Sequence, residues 1–474
     1  MSLQSQLRRR DASPTVVLMI VCVGVIMASL DLFIVNVALP DIGQDLGTRD
    51  LSKLSWVLNA YAIVYAALLV LFGRMAERRS REGGFLLGVL VFTLASAACG
   101  AASSLTVLVI ARIVQAAGAA LLTPTSLGLV LATAPAERRQ SSVRAWTAVG
   151  GLAAALGPVV GGLLVAASWR WVFLVNVPIG LAGLWIGWRR LPDVPGHPVP
   201  HPDALGAVLL TGGIGALTLA LVEGGDWGWG SAATLVALAG AVVALALFVA
   251  RCLRHHNPLV EPELFRGRSF TGASIAMTLF GIAFGAMLLS IVLWAQEIWG
   301  WSALTTGLAF SPGPLMVPVM AFLVAPRLIG RFGAGPVVAA GCTALAAGFA
   351  WWALAIDLQP HYVREMLGGA LLTGVGVGLT LPTLMATASA SLPPQSFATG
   401  SAVINMLRQV GLTIGVAIFV AVLGSPDSPA AARDAYHAGW WVLVAASLAA
   451  AVAGFVLLER RTRPVGAAAA VESA

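Results

Sequence analysis

The sequence predicts an all-α polytopic membrane protein with 14 transmembrane helices. Three observations carry this. The chain is 58% hydrophobic and only 10% charged, where soluble domains hold about 45–50% apolar and about 25% charged residues. Its apolar residues fall into runs of about 20, the length a helix needs to cross a bilayer. Its arginines collect in every second loop between those runs. A mean hydropathy of +0.89 over 474 residues is more apolar surface than a soluble core of this size encloses; hydrocarbon solvates it instead.

The expected spans lie near 15–39, 54–73, 84–102, 106–133, 143–167, 171–189, 204–223, 231–251, 270–296, 303–326, 335–356, 364–390, 398–423 and 437–458. No soluble domain fits between any two. The longest connection, Arg251 to Arg268, reads as a loop. Arg8, Arg9 and Arg10 precede the first run. That run has no small-residue cleavage site, so it is expected to stay as a span rather than act as a signal peptide.

Basic residues near span ends mark the cytoplasmic side. One set of alternate loops holds Arg74, Arg78, Arg79 and Arg81, then Arg138, Arg139 and Arg144, then Arg189 and Arg190. The same set continues with Arg251, Arg254, Arg266 and Arg268, and with Arg327 and Arg331. With the two tails it accounts for 21 of the 28 Lys and Arg residues. The expectation is a bacterial inner (plasma) membrane protein with both termini cytoplasmic, and an even span count requires the same. The net charge of +7 is therefore topology rather than a nucleic-acid footprint.

A weak internal repeat is visible. Gly73 to Arg81 and Pro326 to Gly335 are both Arg-bearing turns before Gly-rich spans. Their offset is eight spans, which suits two six-span halves with an extra pair between them. The expected boundaries are 1–190 for the first bundle, 191–268 for the inserted pair with its linkers, and 269–474 for the second bundle.

Charges inside a bilayer cost at least about 2.5 kcal/mol each, so each is a functional candidate. Asp31 lies in the first span, in Leu30-Asp-Leu-Phe-Ile-Val-Asn-Val-Ala-Leu-Pro40. An apolar surround raises a carboxyl pKa, so it can exchange a proton near neutrality or, when ionised, attract a cation. The plainer reading is a hydrogen bond within the bundle, to Asn36 or to backbone. Arg112 and Gln115 lie in the fourth span. Arg112 stays charged and can tune a nearby acid; the plainer reading is an ion pair with Asp31. Arg408, beside Asn405 and Gln409 in the thirteenth span, either faces the pathway or snorkels to the interface. Glu223, Asp226, Glu297, Asp357 and Glu365 fall at outer span ends and read as rim charges in water, with Glu297 the best pathway candidate among them. In the fifth span, Gly157, Pro158, Gly161 and Gly162 combine a proline kink with glycines that allow close helix contact; a generic packing kink is the alternative.

Other chemistries find no residues. Cys22, Cys99, Cys252 and Cys342 are far apart, without metal or disulfide spacing. The histidines fall in loops or at span edges, and no nucleophile–base set, metal cluster or Walker motif is present. The expectations are no enzyme activity, no cofactor and no metal, with an ion gradient as the energy source.

Together these segments resemble the major facilitator superfamily in its fourteen-span drug:proton antiporter branch. The resemblance rests on Leu30 to Pro40, Gly73 to Glu82, Arg112 to Ala120, Gly150 to Gly162, Trp169 to Gly180, Asn257 to Val260, and Asn405 to Gly411, in that order along nearly the whole chain. It implies two six-helix bundles around a central cavity and alternating access. It further implies proton or cation coupling at Asp31, proton transfer involving Arg112, and a conformational-switch loop at Gly73, Glu77, Arg78 and Arg81. The Gly157–Gly162 motif is typical of exporters. Glu77 stands where that loop usually has Asp, Ser80 where it has Gly, and Phe33 where the first-span motif often has Thr or Ser.

The function expected is proton-coupled export of small, largely apolar or cationic compounds by a protein acting as a monomer, with small molecule, protons and lipid as partners. Two alternatives stay open: a dedicated exporter of one antibiotic or metabolite, and a non-transporting sensor on the same fold. The sensor would tolerate Asp31→Asn.

Overall fold

The computed structural model describes residues 13–48, 50–78, 80–135, 138–195, 203–392 and 397–458. They form fourteen helical spans, which we number in order. The first half holds α1 Pro14–Asp45, α2 Leu51–Arg78, α3 Arg81–Gly100, α4 Leu105–Thr133, α5 Arg139–Val165 and α6 Trp171–Arg190. Next come α7 Ala204–Trp227 and α8 Ala232–Arg254. The second half holds α9 Arg268–Ile298, α10 Ala303–Phe332, α11 Ala334–Ala355, α12 Tyr362–Ala390, α13 Phe397–Leu423 and α14 Pro429–Leu457. Every expected span is present. The observed helices extend beyond the apolar runs because polar end residues continue the backbone ladder into the interface. The two arginine-bearing tails lie outside the described residues.

Polar side chains in short loops start the helices. Ser13, Ser80, Ser104, Ser231, Ser302 and Ser428 each accept a backbone N–H of the first turn, as does Asp203 at α7. Each satisfies a donor that the helix cannot. Asp203 also receives Arg251 Nε at 2.7 and 2.9 Å, which ties the start of α7 to the end of α8. Burial pushes the Asp203 carboxyl up, but the Gly206 N–H and Arg251 outweigh it and hold it below its ordinary value. Stability from a lowered carboxyl is present above the unfolded value of about 3.9 and is lost as pH falls through the folded value. Asp203→Asn is therefore expected to lower the thermal midpoint at pH 7. The gap from the native chain should close below about pH 3.9; a gap that persists there would mean the ion pair is not its source.

The halves repeat one packing scheme. In the first, α1 packs on α4, α5 and α6, α4 on α2 and α3, and α3 on α6. In the second, α9 packs on α12, α13 and α14, α12 on α10 and α11, and α11 on α14. Adding eight to each first-half number gives its second-half counterpart. The two arginine-bearing loops thus fall at matching places in the two halves, between α2 and α3 and between α10 and α11. The halves meet along α2–α13 and α5–α10, which the same shift interchanges, and along α1–α9. The inserted pair packs α7 against α8 and lays α7 along α2 and α13. The face of α8 left over exposes Val236, Val242, Leu247 and Leu253. Such a face is stable against lipid, whose tails are as apolar as the side chains.

Proline and glycine shape the bundle. α5 bends by 41° between Ala145–Ala153 and Leu156–Val165. Pro158, inside α5, has no N–H and its ring clashes with the carbonyl four residues earlier. Pro124, Pro318 and Pro382 lie inside α4, α10 and α12. A π-turn, Met320–Val324, follows Pro318.

Candidate functional site

Between the halves lies a cavity of about 860 Å3, within the usual range of roughly 300–1,000 Å3 for small-molecule sites. Its wall runs from the middle of the helices to their arginine-bearing ends. Phe33, Phe284 and Phe310 line the deep part; Arg74, Arg81, Val143 and Phe322 line the mouth. The rings of Phe33 and Phe284 stand 5.9 Å apart between α1 and α9. Phe33, where the resembling motif often has a hydroxyl, thus makes the cavity more apolar.

The opposite end is closed by backbone contact. Gly162 lies so close to α10 that a Cβ there would stand 2.6 Å from the Ala303 carbonyl oxygen, and a Cβ on Gly307 would overlap the Pro158 carbonyl. Gly157 and Gly161 face α1, where a Cβ would meet Phe33 and Ile34 at 2.7 and 3.0 Å. Gln296 Nε2 donates to the Val37 carbonyl at 3.0 Å, joining α9 to α1. The motif of α5 thus packs within its own half through Gly157 and Gly161, which face α1, and against the other half through Pro158 and Gly162, which face α10.

Asp31, Arg112 and Gln115 come together, fully buried, from α1 and α4. Arg112 Nη1 donates to Asp31 Oδ2 and to Gln115 Oε1, and Arg112 Nε to the Val57 carbonyl at 3.1 Å. Gln115 Nε2 lies 2.8 Å from both Asp31 Oδ1 and Ser96 Oγ. Both carboxyl oxygens are thus engaged. Asn36 is not part of this set; its Nδ2 turns back onto the Leu32 and Phe33 carbonyls of its own helix. Asp31 is also not on the cavity wall. The Tyr61 ring separates the two, lying 4.0 Å beneath the Arg112 guanidinium on one side and lining the cavity on the other.

The other expected residues divide. Arg408 lines the cavity near the middle of α13 and does not snorkel. Glu297 is exposed in the π-turn at the end of α9, away from the cavity. Gly73 lines the mouth beside Pro124; Arg78 is exposed; Arg81 Nη1 donates to the Gly128 carbonyl of α4 at 3.3 Å. The Glu77 side chain lies outside the described residues. Glu365 differs from its expected place in water. It is buried, pairs with His361 Nδ1 at 3.1 Å and accepts the Asp357 N–H at 3.2 Å. It sits in the π-turn Tyr362–Leu367 at the start of α12.

Sequence reasoning missed Tyr61, Tyr65 and Ser96. Tyr61 and Tyr65 stack at 5.8 Å on the cavity side of α2, and the Tyr65 hydroxyl lies 3.1 Å from Thr123 Oγ1. A signal existed: two of only four tyrosines lie four residues apart in one span, which places them on one helix face.

Comparison with known proteins gives a consistent picture. The family model described as Major Facilitator Superfamily matches residues 21–416 and, overlapping, 275–473. A cephamycin export protein of Amycolatopsis lactamdurans is 35% identical over 91% of this chain and 89% of its own length. A methylenomycin A resistance protein of Streptomyces coelicolor is 33% identical over 88% of this chain and 87% of its own. The multidrug resistance protein Stp of Mycobacterium tuberculosis is 34% identical over 85% of this chain and 74% of its own. Among solved structures, a bacterial homologue of the lysosomal transporter Spinster, inward-facing and unoccupied, superposes with a TM-score of 0.67 at 15% identity. That match covers 96% of this chain and all of that one, and it bears on fold alone.

Proposed function

The chain belongs to the major facilitator superfamily, and from this premise we propose that it is a proton-coupled exporter of antibiotic-like small molecules. The observation that carries the reading is the placement of the Asp31–Arg112–Gln115 cluster behind the wall of a large apolar cavity. A carboxylate clamped by Arg112 loses most of that attraction on taking a proton. Arg112 is then freed to move, and the Tyr61 ring under it passes the movement to the cavity wall. Binding a proton in one state and losing it in the other is what an antiporter requires.

The arginine-rich ends are read as cytoplasmic, so the cavity faces inward, the plasma membrane is the host and both termini are cytoplasmic. Compound enters from the cytoplasm. The α5–α10 contact then opens while the arginine-bearing ends close. Arg74 Nη2 holds Glu261 Oε1 at 2.5 Å and links the first bundle to the linker before α9; it is one of the contacts that this exchange rearranges. A single chain contains the whole cavity and works as a monomer. A second reading, a dedicated exporter of one compound, is favoured by the single-antibiotic names of the cephamycin and methylenomycin relatives.

The test is accumulation of an antibiotic panel that includes a cephamycin, methylenomycin A and puromycin in cells lacking their own pumps. The native chain is expected to lower accumulation of at least one member. Asp31→Asn at matched expression, or a protonophore, is expected to remove that effect. Efflux that survives both treatments sinks proton coupling through Asp31. Efflux of one member only selects the dedicated exporter.

A further inference from the structure

We propose that the cavity selects amphipathic anions: compounds with an apolar body and one carboxylate or similar acidic oxygen group, held by Arg408. The sequence alone pointed the other way, towards cations attracted by Asp31. The proposal deepens the export reading and rests on it only for the direction of movement.

The argument starts from charge. Asp31 is off the cavity wall, and both its oxygens are held by Arg112 and Gln115. Among the described residues, no Asp or Glu lines the cavity. The cationic side chains that do are Arg74 and Arg81 at the mouth and Arg408 deep inside. Arg74 is paired with Glu261, and Arg81 with the Gly128 carbonyl. Arg408 differs. Its Nε is buried without an acceptor, no carboxylate of the described residues lies within ion-pair reach, and the titratable group acting on it is Tyr65, a phenol.

A guanidinium has five N–H donors and no acceptor, and it matches a carboxylate in a two-point fork. Buried charge that lacks a partner is costly, and a low dielectric strengthens whatever partner arrives. Next to it, Gln409 is 1% exposed, lines the same cavity, and has neither amide atom hydrogen-bonded. Its –NH2 is a further donor for an oxyanion. Asn405, one turn earlier in α13, keeps its Nδ2 on the Ser401 carbonyl. The donors therefore converge on one wall. In the same cavity, the Phe33, Phe284 and Phe310 rings give the apolar body its place. A cation would find aromatic rings but also a fixed like charge in the same 860 Å3.

The experiment uses the full chain in lipid nanodiscs and three probes with one pyrene body: pyrenebutyrate, pyrenebutanol and pyrenebutyl-trimethylammonium. Fluorescence anisotropy reads binding at pH 7.5. The native chain is expected to bind the carboxylate at least tenfold more tightly than the ammonium. Arg408→Gln should erase that ratio while keeping the alcohol's affinity, which also reports that the cavity is intact. Arg408→Lys should keep part of the ratio. Asn405→Asp, which places an internal carboxylate near Arg408, should reverse it. An ammonium preference in the native chain, a ratio unmoved by Arg408→Gln and Asn405→Asp, or no carboxylate binding overturns the proposal. Export is read separately, as probe movement in proteoliposomes under an imposed proton gradient. Carboxylate selectivity without gradient-driven movement refutes the export reading and leaves the anion site standing.

Discussion

Arg112→Leu is expected to destabilise the protein by about 3–5 kcal/mol, the usual cost of leaving one member of a buried ion pair without the other. Asp31 would keep only the amide of Gln115 in a site with 0% exposure. Arg112→Leu would also vacate the Val57 carbonyl and the face of Tyr61. Asp31→Leu made together with Arg112→Leu should restore most of the lost stability, because two apolar side chains of suitable volume replace a buried pair at little net cost. The measurement is the thermal-unfolding midpoint in detergent of the two single variants and the double variant. The same double variant should export nothing. Recovered stability with no transport assigns the pair to coupling; recovered stability with transport would reduce it to a structural contact.

Gly307→Leu is the second large effect, and its target is one state rather than the fold. In the form whose cavity opens at the arginine-bearing ends, α5 and α10 touch through backbone at Gly162 and Gly307. A side chain at 307 has no space there, since the Pro158 carbonyl occupies it. Overpacking costs about 1–3 kcal/mol, and against one state of an equilibrium that is roughly 5- to 150-fold in population. The form open at the arginine-rich end should be depleted by that factor. Ala402 lines the cavity, so an Ala402→Cys reporter can read access from that end with a membrane-impermeant maleimide in inside-out vesicles. Labelling should slow in the Gly307→Leu background and be unchanged by Gly330→Leu, a position with open space around it. Equal labelling in both would mean that α5–α10 contact does not govern access.

The sequence by itself determined the solvent, the element type and the span count. Those follow from composition and run length, because in hydrocarbon every backbone group must be satisfied within its own helix. It also marked the residues whose burial has a cost: Asp31, Arg112, Gln115 and Arg408 were legible because polar groups in an apolar run need a reason. What the tertiary structure decided was which of them face one another and which face open space. Asp31 and Arg112 are 81 positions apart, and no local pattern says that their pairing leaves the cavity, among the described residues, without a carboxylate. Nor does it say that Tyr61 stands between them and the cavity, or that Glu365 is buried at a helix end. Asn36 turned to its own helix because a carbonyl one turn back is always within reach, while a partner on another helix depends on rotation about the helix axis. Glycines 157, 161 and 162 show the same division. Their presence was written in the chain, but their partners came only with tertiary packing: Phe33 and Ile34 on α1 of the same half, and the Ala303 carbonyl on α10 of the other. Periodicity determines what one helix can bury; the sign of the charge that a cavity presents is a sum over several helices, and only their assembly evaluates it.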